Sequence, residues 1–106
     1  MLLLSNEEIA NMLTIDDCLD VLEQAYRYLG HGQAGNVPRA DLLVEIEPGI
    51  TYGLKTMSGA VPAFQVGAIR LNSDIVHWPT IAGNTRRVKI PAAPGARWVG
   101  LVLLFS

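Results

Sequence analysis

The stretch Trp98-Val99-Gly100-Leu101-Val102-Leu103-Leu104-Phe105-Ser106 is a nearly unbroken apolar run. It has the pattern of a strand covered on both faces, not of one that alternates between core and water. No turn signal, cap or polar tail follows it. Such a strand needs neighbours and covering layers, because a long, flat, apolar edge is otherwise a template for aggregation. The expectation is the front part of a larger fold, a single incomplete domain over residues 1–106.

Half of the 106 residues are apolar, so a core can form and disorder is not expected. The apolar stretches fall short of the roughly 20 residues that cross a bilayer. Met1-Leu2-Leu3-Leu4 lacks the charged start and longer apolar segment of a signal peptide. A cytoplasmic protein away from membranes is expected. Cys18 is alone, which excludes an internal disulfide or a multi-cysteine metal site. Its helical spacing from Leu22 and Ala25 predicts a buried thiol. The net charge of −2 is uneven, with an excess of −5 in residues 1–35 and +3 in residues 36–106. A modest basic surplus suits an anionic small molecule, whereas a nucleic-acid surface would be more basic and more clustered.

Ser5-Asn6-Glu7-Glu8 reads as a capping box, and Thr14-Ile15-Asp16-Asp17 opens a second, longer helix in the same way. Ile15, Cys18, Leu19, Leu22, Ala25, Tyr26 and Leu29 then recur at three and four residues. They form one apolar stripe, predicting a helix that lies on a sheet. Gly30-His31-Gly32-Gln33-Ala34-Gly35-Asn36 stops it. This stop spells G-x-G-x-x-G, but a phosphate loop follows a strand and opens a helix, and here the order is reversed. From Val37 onward the period becomes that of strands, with Ala40, Leu42, Val44 and Ile46 alternating with Arg39, Asp41, Leu43 and Glu45. Pro48-Gly49 turns the chain into a strand over residues 50–57, Ser58-Gly59-Ala60-Val61-Pro62 is a joint, and residues 64–72 form the next strand. Residues 78–83 and 91–95 read as loops around a short strand at 87–90. The predicted class is α+β, with two N-terminal helices packed on a mixed, mainly antiparallel sheet.

Strand alternation places Arg70 on a face with Phe64, Val66 and Ala68. An arginine pointing inward needs a partner, either an internal acid such as Asp74 or an external carboxylate or phosphate. Reaching solvent at the end of the strand is the competing reading. Lys55 shares a face with Thr51 and Met57 on the neighbouring strand, so it either converges with Arg70 on one anion or extends to water. Arg39 follows Pro38 at a strand entrance, a stiff position for a fork-shaped donor, with surface exposure as the alternative. Arg86-Arg87-Val88-Lys89 could clamp phosphate, although three bases without interleaved aromatics usually form a solvated face. His31 and His77 are isolated and predict no metal site. Serine-elbow, cysteine-nucleophile and paired-carboxylate patterns are absent from the sequence.

As an ordered set, several segments resemble the ornithine cyclodeaminase / mu-crystallin family. They are Leu2-Leu3-Leu4-Ser5 before a helix, Val37-Pro38-Arg39, Tyr52-Gly53-Leu54-Lys55-Thr56-Met57, Pro62-Ala63-Phe64, Arg70-Leu71-Asn72-Ser73-Asp74 and Gly100-Leu101-Val102-Leu103-Leu104-Phe105. The resemblance covers essentially the whole chain and rests on order and spacing, not on one decisive motif. It implies the N-terminal domain of a two-domain α/β subunit, in which this part binds substrate and forms a homodimer. A following Rossmann domain, absent from this sequence, would bind NAD or NADP. Members include cyclodeaminases, dehydrogenases, ketimine reductases and a hormone-binding crystallin, placing the family in amino-acid metabolism as oxidoreductases or lyases.

Carried over by position, the resemblance makes Arg39 the holder of the substrate carboxylate. Arg70 falls where the family commonly has lysine; carboxylate binding survives that exchange, while proton transfer does not follow from it. Met57 would line the same pocket and Lys55 would supply a second cation. No residue is assigned a catalytic role and none a cofactor, because the nucleotide loop, a catalytic aspartate and a further arginine lie later in the family's pattern. The expected function is the substrate-binding, dimerising part of an NAD(P)-dependent enzyme acting on an amino or imino acid, inactive by itself. The alternatives are a non-catalytic ligand-binding or structural dimer and a truncated gene product without its own activity.

Overall fold

The structure, a computed structural model, describes residues 1–91 and 99–106. Both capping boxes form. Ser5 and Glu8 cap α1 (Asn6–Met12) by exchanging side-chain and backbone hydrogen bonds, and Thr14 and Asp17 do the same for α2 (Ile15–Gly30). These bonds also hold the Glu8 and Asp17 carboxyls below their ordinary range, through the capping backbone amide first and the hydroxyl second. The glycine stop then works as the sequence predicts. The chain leaves α2 through Gly32 at φ 72° and enters a strand, so no helix follows the glycines.

Two long antiparallel hairpins make the sheet: β1 (Gly35–Glu47), β2 (Ile50–Val61) and β3 (Val66–His77). Gly49, at φ 79°, closes the first turn, and a 3₁₀ turn over Pro62–Phe64 followed by left-handed Gln65 closes the second. Residues 58–61, expected as a joint, continue β2 instead. Their small side chains let Ser58 and Gly59 pair with Ile69 and Ala68, and a Cβ on Gly59 would stand only 3.4 Å from the Gly35 carbonyl oxygen. Residues 78–83, expected as a loop, begin a small hairpin of β4 (Thr80–Ile81) and β5 (Asn84–Thr85). It turns through Ala82 and Gly83, both at positive φ, the conformation of a two-residue hairpin turn.

The outer edge of β3 serves two strands in succession. Residues 67–73 pair with β7 (Val99–Phe105), and Ile75–His77 pair with β6 (Val88–Ile90). Every pairing among the described residues is antiparallel, which corrects the expectation of a mixed sheet. The predicted loop at 91–95 lies, apart from Pro91, outside the described residues, as does Trp98.

Packing departs further from expectation. Val76 is the single buried hydrophobic side chain among the described residues. The α2 stripe meets the sheet only near its Gly59–Ala68 end, where Tyr28 stands edge-on to Phe64 at 5.7 Å. Ile15, Leu19, Leu22 and Tyr26 stay exposed, and Cys18 is half-buried, not enclosed. The strand β7, expected to be covered on both faces, exposes Val99, Leu101, Val102, Leu104 and Phe105. The chain exposes 8377 Å², whereas a compact monomer of its mass would expose about 5,800 Å². Its radius of gyration, 17.2 Å, likewise exceeds the roughly 13 Å of a compact chain this long. Local patterns therefore form as read, while the layers that would cover them are not supplied by the described residues.

Candidate functional site

Register sets which side chains meet. In antiparallel strands, residues directly opposite share a face. Met57 is opposite Arg70, Lys55 is opposite both Asp41 and Asn72, and Gly53 is opposite both Leu43 and Asp74. Arg39 lies where β1 slips register between Val37 and Ala40. This face is the inside of a curled sheet. In a flat sheet β1 and β6 would be about 14 Å apart, three strand spacings, yet Arg87, just before β6, comes within 3.9 Å of Asp41 on β1.

At one end of the face, Arg39, Met57 and Arg70 line an open groove of about 300 Å³, together with Val37, Pro38 and Val102. Arg70 is exposed, and its side chain makes no ion pair or hydrogen bond among the described residues. It thus reaches solvent as in the competing reading, but from within β3 and not from a strand end. Arg39 Nε lies 2.9 Å from Asp41 Oδ1 in an ion pair, and the Arg39 side chain is half exposed.

Further along the face, Asp74 is fully buried and Lys55 nearly so. Lys55 Nζ donates to Asp74 Oδ2, and Lys89 Nζ reaches the same oxygen at 3.3 Å. The internal acid named as a partner for Arg70 therefore meets two lysines instead. Nor does Lys55 extend to water. Its side chain crosses diagonally to the neighbouring strand over Gly53, where a Cβ would lie 3.2 Å from Leu43 Cδ2 and 3.7 Å from Lys55 Cε. Burial pushes the Asp74 carboxyl upward, but hydrogen bonds from Lys55 and Lys89 and then their charges outweigh it and hold the group below its ordinary range. Asp74 is ionised at neutral pH and anchors both ammonium groups.

In the basic run expected as a solvated face, Arg86 and Lys89 are exposed, while Arg87 is turned inward. Arg87 Nη1 lies 3.9 Å from Asp41 Oδ2, and the guanidinium carbon sits 5.8 Å from the Trp78 ring centre. Arg87 and Lys89 were missed as site residues because their direction depends on β6 pairing with β3. The nearest signal in the sequence was Trp78, an aromatic available to an arginine.

Among the described residues, no group of three or more His, Cys, Asp or Glu gathers at metal-binding spacing. Both helices precede every strand, so no described strand leads through a glycine loop into a helix. Among the described residues, no helix is long and apolar enough to cross a membrane. Comparison with family models, with curated proteins and with solved structures found no match to this chain.

Proposed function

We propose that the chain is the substrate-binding and dimerising segment of an NAD(P)-dependent enzyme acting on an amino or imino acid, with no activity of its own. The groove at Arg39, Met57 and Arg70 holds the substrate's carboxylate. The observation that carries this reading is Arg70, a cation without an internal partner, facing the same groove as Arg39. An arginine fork matches a carboxylate with two parallel hydrogen bonds and fixes its plane. The apolar side chains of Met57 and Val102 border the acid and leave it fewer competing waters. Lys55 supports the site through charge, since its ammonium is held by Asp74. What this half of an active site does is orient a small acid for a reaction completed by residues beyond it.

Dimerisation is supported by area. The excess exposure of roughly 2,600 Å² is of the size that obligate interfaces bury. The same observation supports a non-catalytic dimer as a second reading. Titration with a small monocarboxylate tests the groove. Binding that weakens at least about tenfold in Arg70→Gln, with folding unchanged by circular dichroism, is the expected result. Equal binding by wild type and variant refutes the groove. NADH and NADPH are expected not to bind these 106 residues, and tight binding of either refutes the assignment of the nucleotide site to another segment.

A further inference from the structure

The groove at Arg70 does not end at its arginines. On the same face of β2 and β3, directly opposed residues run from Met57 and Arg70 to Gly59 and Ala68, then to Val61 and Val66. Charge gives way to apolar surface across a glycine and an alanine, side chains too small to stand between the two. Beyond them lies a pocket of about 270 Å³ between α2 and the sheet, walled by Leu22, Ala25, Tyr26 and Leu29 of the helix and by Val61 and Val66. Asn36, Gly59 and Ala68 border the groove and this pocket alike, so the two adjoin. The pocket wall carries no charged side chain, and its lining atoms are almost wholly apolar. Leu22, Tyr26 and Leu29 are exposed, so their apolar surface is open to whatever enters.

We infer that the ligand is an acid with an apolar tail, its carboxylate at Arg39 and Arg70 and its tail in the pocket under α2. This rests on the reading of the groove as a carboxylate site. Complementarity selects the occupant: Arg70 presents a cation without an internal partner at one end, and uncharged surface lines the other. Alone the pocket is slightly smaller than the roughly 300 Å³ at which small-molecule sites begin, and joined to the groove it passes that size. Two residues of strand advance about 7 Å, so Ala68 and Val66 lie about 7 Å and 13 Å from Arg70 along β3, the reach of an unbranched tail of about six to ten carbons. A tail seated there takes its own surface and that of α2 out of water. A second charged group would enter without a partner. The ligand class is a monocarboxylic amino, imino or oxo acid with an apolar side chain, not a diamino or dicarboxylic one.

Calorimetric titration of the whole chain with butyrate and with octanoate, at matched ionic strength and below the concentration at which octanoate forms micelles, tests this. Octanoate is expected to bind at least about tenfold tighter, since each methylene that leaves water strengthens binding. Ala25→Leu, which fills the pocket from the α2 side away from the groove, should erase that preference and leave butyrate unchanged. Ala25→Met fills the same space with a more pliable side chain and carries the comparison where circular dichroism shows that Ala25→Leu does not fold. Arg70→Gln should weaken both acids. Equal affinity for the two acids, with butyrate still sensitive to Arg70→Gln, overturns the tail and spares the groove. An octanoate preference undiminished in Ala25→Leu and Ala25→Met overturns the pocket under α2 as its seat. An octanoate affinity that falls as protein concentration rises shows a second copy filling the pocket, which overturns the ligand's claim to it. Binding of neither acid, or octanoate binding that Arg70→Gln leaves intact, overturns both readings.

Discussion

The inner face of the sheet and the outer face of α2 follow opposite rules. On the inner face, charged side chains are buried and paired: Asp74 lies under Lys55 and Lys89. On α2, apolar side chains that would ordinarily be buried stand in water, with Leu19 and Leu22 more than half exposed. The buried Lys55–Asp74 pair is made within β2 and β3, and Lys89 of β6 adds to it, while Asp74 Oδ1 has no hydrogen-bond partner among the described residues. A half-covered apolar stripe is satisfied only by another layer. The difference teaches that β2 and β3 carry the buried charge pair of this chain, while α2 and β7 keep apolar side chains exposed.

The sharpest way to break that contrast is Asp74→Ala. Removing the acid leaves Lys55 buried without its counter-charge, a change that typically costs about 3–5 kcal/mol. Denaturation by urea should show most of the chain's stability gone; a loss under about 1 kcal/mol would mean that the inner face is not held by this pair. Acid titration gives a milder version of the same break. Because the folded-state pKa of Asp74 is depressed, its contribution is fully present above the ordinary aspartate range near 4 and is lost as pH falls through the lower folded value. Thermal melts of the wild type should therefore drop more steeply as pH falls below about 4 than those of Asp74→Asn. Parallel curves would show that Asp74 does not govern acid stability. The smallest effect is expected from Leu19→Ala. At its present exposure the change should cost under about 0.5 kcal/mol. A cost of 2 kcal/mol or more that grows with protein concentration would show a second copy covering the stripe.

What the sequence made legible was local. Ser5 with Glu8 and Thr14 with Asp17 are separated by three residues, so their capping bonds follow from spacing alone. The faces of Arg70, Lys55 and Met57 followed from strand alternation, which holds wherever the strand does. What stayed hidden depended on pairing. Asp74 could be seen as a partner for a base, yet which base it takes is decided by Gly53 standing opposite it and leaving Lys55 room to cross. Residues 58–61 read as a turn because small residues favour turns, and cross-strand pairing overrode that preference. Arg87 looked solvated because nothing near it in the sequence reveals the curl that brings it to Asp41.

The outer edge of β3 changes partner at a single residue. Its pairing with β7 stops at Ser73 and its pairing with β6 starts at Ile75, which leaves Asp74 at the seam. Backbone amides on the two sides of that seam are protected by different strands, so their hydrogen exchange need not proceed in step. Fraying of β7 would open the Arg70 end to solvent while the Lys55–Asp74–Lys89 cluster kept its own protection. The Arg70 end and the Lys55–Asp74–Lys89 cluster lie on either side of a change of strand partner along one continuous strand.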